Sequence, residues 1–113
     1  MQLYNLKEAI DIIHSYRGVA AIAHPWLCGN PMQVCEEALK CGVNGLECFP
    51  PAHREEHGTT QFVDFANQHQ LFCSSGSDYH ALGGEEVLPG DNVFPINYAK
   101  QFIDYLTKQK ILE

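Results

Sequence analysis

An α/β fold with parallel strands is predicted by three features of the chain. Helix-like and strand-like segments alternate, the strand-like segments are short, the first of them wholly apolar, and they start near residues 19, 44 and 71. Alternation of this kind builds a layer of parallel strands with helices packed against it. Short continuous apolar runs suit strands buried on both faces, as in a parallel sheet. The intervals between strand starts, 25 and 27 residues, leave room for one helix per crossover, and such crossovers are right-handed by rule.

The elements follow in order. Leu6, Ala9, Ile10 and Ile13 recur at helical spacing up to Tyr16, with Asn5 as N-cap and Gly18 as the stop. Val19 to Ala23 is the first strand, ended by His24-Pro25. Asn30-Pro31 is an N-cap followed by proline at the first helical position, which opens a helix over Met32 to Lys40. Cys41-Gly42 closes it, and Val43 to Phe49 is the second strand, which Pro50-Pro51 cannot continue. After a polar loop, Thr59 or Thr60 caps a helix carrying Phe62, Val63, Phe65 and Ala66 to about Gln68, and Gln70 to Ser74 is the third strand. Residues 75–95 are rich in Gly and Pro and lack periodicity, and a loop of roughly 20 residues in a compact domain is usually functional. Asn97 to Lys108 is the last helix, with Tyr98, Phe102, Tyr105 and Leu106 facing inward.

Composition bounds what the domain does. The chain has 113 residues, 45% of them hydrophobic and 19% charged, which describes one globular domain and not a disordered chain. Fourteen acidic residues against seven basic ones give a formal net charge of −7, which excludes the basic face that a nucleic-acid binder needs. No apolar stretch approaches the roughly 20 residues that span a bilayer, so no membrane partner is expected. The amino terminus lacks the basic flank and apolar run of a signal peptide. Five cysteines with no CxxC pair, several within apolar runs, read as buried free thiols in a reducing cytoplasm.

The residues that carry chemistry gather at strand ends. His24 follows the first strand, Glu47 lies near the end of the second, and Asp78 and His80 follow the third in SSGSDYH. The carboxyl ends of neighbouring parallel strands lie side by side and form the ligand site, so these four should converge. Imidazole and carboxylate together suit zinc, manganese or iron. Asp78 and His80 flank Tyr79, so in an extended segment both point the same way. The plainer readings are a structural histidine at a strand end and, for Glu47, a carboxylate that caps a neighbouring helix. His53 lies in the loop after the second strand, within reach of the same site. His53 to His57 also fits the HxxEH pattern of inverted zinc proteases, but Pro50-Pro51 and Gly58 leave barely two helical turns, so the segment reads as a polar loop. Ser74-Ser75-Gly76-Ser77 is small enough for backbone amides to approach a phosphate. His14 and His69, on amphipathic helices, are assigned to structure or surface.

GVAAIAHP, NGLECF followed by PPAH, and LFCSSGSDYHAL occur in an order and spacing that resemble the later motifs of the PHP (polymerase and histidinol phosphatase) family. The resemblance is strongest over residues 5–82. It implies that residues 1–113 form a single partial PHP domain, the later half of a distorted (β/α)₇ TIM-like barrel. It implies a metal-dependent phosphoesterase holding divalent Zn, Mn or Fe. On this resemblance His24, Asp78 and His80 match metal-ligand positions, while His53 and Glu47 match positions near the substrate. Pro50 stands where the family has a further histidine, and the family's first-strand HxH motif is absent from these 113 residues. No residue is assigned as catalytic. The expected partners are a small phosphorylated substrate and either a second copy of the chain or a missing amino-terminal half. Two alternatives stand beside this reading: a non-catalytic module that binds or self-assembles, and a metal-dependent hydrolase of a non-phosphate ester or amide.

Overall fold

The structure, a computed structural model, describes residues 3–50, 59–80, 90, 92 and 94–109. The chain runs α1 (Leu6–Ser15), β1 (Ala21–Ile22), a 3₁₀ turn (Pro25–Leu27), α2 (Pro31–Lys40), β2 (Gly45–Phe49), α3 (Thr60–Gln68), β3 (Phe72–Ser75) and α4 (Ile96–Lys108). The three strands form one parallel sheet in the order β1-β2-β3, so the predicted fold class, three parallel strands with flanking helices, is the observed one.

Local chemistry explains the boundaries. The Asn5 side chain accepts from the Glu8 N–H at 2.8 Å, and the Glu8 carboxylate reaches back to the Asn5 N–H at 3.4 Å. This reciprocal pair satisfies two of the donors a helix start leaves unpaired. α1 ends in a tight reversal in which Arg17 N–H donates to His14 O and Gly18 N–H to Ile13 O, both at 2.9 Å. Arg17, not Gly18, takes the left-handed conformation, at φ 65°. Gly18 is needed for space, because a Cβ there would lie 2.9 Å from Ile13 Cγ2. β1 is shorter than its apolar run predicts. Only Ala21 and Ile22 pair, with Gly45 and Leu46, because His24 leaves the extended conformation at φ 29°.

Side-chain alternation sorts the sheet into two faces. Leu46 and Cys48 of β2 join Cys73, Cys35 of α2, and Phe62, Phe65 and Ala66 of α3 in the larger core cluster. Ile10 of α1 packs with Ala20, Ala38 and Val43 in the smaller one. On the other face a Cβ on Gly45 would meet the Phe72 ring at 2.4 Å, so glycine leaves the space that ring occupies. Phe72 stacks on Phe102 of α4 with centroids 4.6 Å apart and contacts Tyr105 at 5.2 Å, while Phe49 contacts Tyr98 at 5.4 Å. α4 therefore covers this second face with half-buried aromatics, and none of its residues is fully buried.

The cysteines are free, with Cys35, Cys48 and Cys73 in the core. Contact with Cys73 and burial push the Cys48 thiol up, which holds it protonated. Among the described residues no helix is long and apolar enough to cross a membrane.

Candidate functional site at the carboxyl ends of the strands

Glu47 is the pivot of the site. It sits near the carboxyl end of the central strand, half-buried, and its Oε1 accepts from the His24 backbone N–H at 2.7 Å. A carboxylate thus spans from β2 to the segment that leaves β1. Its other oxygen faces Gly76, where a Cβ would lie 3.0 Å from Oε2. Gly76, two residues before Asp78, is what lets the chain after β3 approach so closely. Burial raises the Glu47 carboxyl above its ordinary value of 4.5, opposed by the His24 hydrogen bond and reinforced by the Asp78 carboxylate.

His24 and Asp78 both adopt left-handed backbone, at φ 29° and φ 57°. For Asp78 this conformation is tolerated, since a short polar side chain suits it. For His24 it is costly, because the residue carries a ring and precedes a proline, which favours extended geometry. Sparsely populated backbone of this kind costs about 1–3 kcal/mol and persists only where its surroundings hold it. Here the restraints are the Glu47 hydrogen bond, the buried ring of Pro25, and the Leu27 N–H, which donates to His24 O at 3.0 Å. The His24 ring meets Trp26 edge-on with centroids 6.3 Å apart, and Trp26 meets Phe62 the same way at 6.4 Å, which ties the site to the core.

His80 stands beside Asp78. Its Nδ1–H donates to the Asp78 carbonyl oxygen, which leaves Nε2 with the lone pair. This is the way metal-binding histidines are commonly oriented, with the other ring nitrogen on a backbone carbonyl. The left-handed turn at Asp78 breaks the simple alternation that would aim Asp78 and His80 the same way.

Of the predicted site residues, the structure therefore joins Glu47 to the His24 main chain and sets Asp78 near Glu47 at one end of the sheet. It places His80 against the main chain of Asp78. His53, with the HxxEH segment, lies outside the described residues. The donor types fit a divalent transition metal in kind, but no three such side chains converge among the described residues, so these alone do not make a complete metal site. The Trp26 contacts and the close approach of Gly76 to Glu47 are not visible in the sequence. Trp26 follows His24-Pro25 with no periodicity to mark it, and Gly76 stands in a serine-rich segment whose small residues suggest an approach to phosphate, not to a carboxylate of the neighbouring strand.

No family model matches the chain. It is 29% identical over 79 residues to a phosphoribosyl 1,2-cyclic phosphate 1,2-diphosphodiesterase of Eggerthella lenta, a match covering 69% of this chain and 29% of that protein. It is 31% identical over 101 residues to a 3′,5′-nucleoside bisphosphate phosphatase of Chromobacterium violaceum, covering 84% of this chain and 35% of that protein. Among solved structures it resembles an amidohydrolase from Chromobacterium violaceum, determined with bound sulfate and no metal. The TM-score is 0.66 at 26% identity, over 89% of this chain and 38% of the other. The chain thus spans about a third of the length of the relatives it matches. Both curated relatives are named for phosphoester hydrolysis, and together with the structural neighbour they support a PHP-like family for this chain.

Proposed function

We propose that the chain is the carboxyl-terminal part of a PHP-type phosphoester hydrolase, contributing one side of its metal and substrate site. The observation that carries this reading is the Glu47 bridge to His24 beside Asp78, at the carboxyl ends of parallel strands. In this proposal His24, Asp78 and His80 are metal ligands, completed by donors from outside the described residues. A divalent metal bound there would activate water and neutralise phosphate oxygens. Glu47 holds the His24 main chain in its strained turn and keeps the strand ends in register. His53 and Glu47 lie toward the substrate. The relatives point to a small phosphorylated nucleoside or sugar as the substrate class.

The test is calorimetric titration of manganese or zinc into the chain, paired with phosphate release from a 3′,5′-nucleoside bisphosphate. Saturable metal binding that falls about tenfold or more in Asp78→Asn or His24→Gln is expected. Binding that neither substitution alters would overturn the ligand assignment.

A second reading is favoured by the sheet edge. Ala21 of β1 is exposed, and among the described residues no strand pairs on the outer side of β1. An open parallel edge is a template for pairing. In this reading a second copy, or the missing portion of a larger domain, docks there. Light scattering decides it, since a monomer at all concentrations excludes self-pairing.

A further inference from the structure

The opposite end of the sheet carries a second, separate feature. His14, Arg17, Gly18, Val19, Asn44 and Gln109 line an open cavity of about 400 Å³. Gly18 and Val19 precede β1 and Asn44 immediately precedes β2, so the cavity lies at the amino-terminal ends of the strands, away from Glu47. Its volume falls in the range that small ligands occupy.

The floor is a fixed polar network. Asn44 Oδ1 accepts from the Ala20 backbone N–H at 2.8 Å, which sets the orientation of the amide, since a backbone N–H can only donate. Asn44 Nδ2 then donates to the Tyr105 hydroxyl at 2.9 Å. Because Oδ1 is an acceptor, the 2.8 Å contact with His14 Nε2 has the ring donating. Nδ1 is left as the ring nitrogen not engaged by Asn44. Arg17 adds a cationic residue to the lining. In a chain of formal net charge −7, this cavity has one arginine, one histidine and two amides and, among the described residues, no carboxylate in its lining. The ion pair found among the described residues, Lys7 with Asp11, does not involve Arg17.

The backbone adds an independent observation. Arg17 occupies the left-handed position that closes α1, at φ 65°, where glycine is the usual and cheaper residue. Glycine stands at the next position instead, where contact with Ile13 requires it. The chain thus places a long cation at a strained point on the rim of a cavity that has no acid among its described lining residues.

We propose that this cavity binds a small oxyanion, a phosphate monoester or a carboxylate, through the Arg17 guanidinium, beside the His14 ring that Asn44 holds in place. A guanidinium presents paired N–H donors that match either anion.

The test uses inorganic phosphate and acetate as probes, titrated into the whole chain at constant ionic strength set with sodium chloride. Binding is followed by the His14 ring resonances and by thermal midpoint. Three variants are compared: Arg17→Gly, Arg17→Asn and His14→Gln, whose amide keeps the bond to Asn44. Arg17→Gly relieves the left-handed strain, so its midpoint in the absence of anion should equal or exceed that of the wild type. Its affinity for phosphate should fall about tenfold or more, as should that of Arg17→Asn. A stabilised variant that no longer binds separates ligand recognition from folding. Phosphate binding without acetate binding supports a phosphoryl ligand, and binding of both supports the carboxylate source as well. Absence of saturable binding by either probe, or equal binding by Arg17→Gly, overturns the proposal.

Discussion

Glu47 holds two segments together while being held above its ordinary ionisation range by burial. Its folded-state value is raised, so the folded chain binds the proton more tightly than the unfolded chain. The stability this contributes is fully present below the ordinary value of 4.5 and is lost as pH rises through the raised value. Glu47→Gln retains a carbonyl to accept from His24 and carries no charge. In metal-free protein, the urea midpoint of this variant is expected to gain on the wild type as pH climbs from 4.5 toward neutrality. A constant difference across that window would show that the carboxylate is not desolvated. Gly45 makes a second case at this scale. A methyl group there meets the Phe72 ring at 2.4 Å, so Gly45→Ala is expected to cost about 1–3 kcal/mol in chemical unfolding, as overpacking does. The candidate residues are legible in sequence because each lies in or soon after a strand-like run. Asn44 is not, because the sequence pattern makes it an ordinary residue of the second strand. Its importance comes from partners at His14, Ala20 and Tyr105, up to 61 positions away.

At the scale of elements, the helices were legible and the strands less so. Helix spacing, the Asn5 box and Asn30-Pro31 act within a few residues, so α1 to α4 fall within a residue or two of their expected limits. Removing the reciprocal cap by Asn5→Ala is expected to cost about 1 kcal/mol, read as a shift in urea midpoint without a change in slope. β1 shrank to two residues because a strand lasts only as long as its neighbour pairs with it, and the turn at His24 ends the pairing. α4 shows the same dependence on context. It is anchored mainly by aromatics over Phe72 and Phe49, so Phe72→Ala is expected to destabilise the protein by about 3–5 kcal/mol. Near-ultraviolet circular dichroism should fall with it, since Phe102 and Tyr105 lose their ring partner.

At the scale of the molecule, β2 is central and buried against neighbours on both sides, while β1 is a short edge. Amide exchange should therefore be slowest across Leu46 to Phe49 and faster by orders of magnitude at Ala21 and Ile22. Equal protection in the two strands would indicate that β1 is covered in solution, as the docking reading requires. The two polar regions lie at opposite ends of this sheet. The carboxyl end gathers carboxylates and imidazoles, and the amino end gathers an arginine, a histidine and amides. A single net charge of −7 conceals that separation.

The sequence by itself determined the fold class, the element order and the end of the sheet where His24, Glu47 and Asp78 gather. Periodicity, capping and strand-end position are local properties, and parallel crossovers leave little choice of topology. Only the tertiary structure decided that Glu47 reaches across to the His24 main chain, that Gly76 makes room for it, and that Asn44 organises a cavity with His14 and Arg17. Those relations join residues far apart in the chain, and packing in three dimensions alone sets which of them touch.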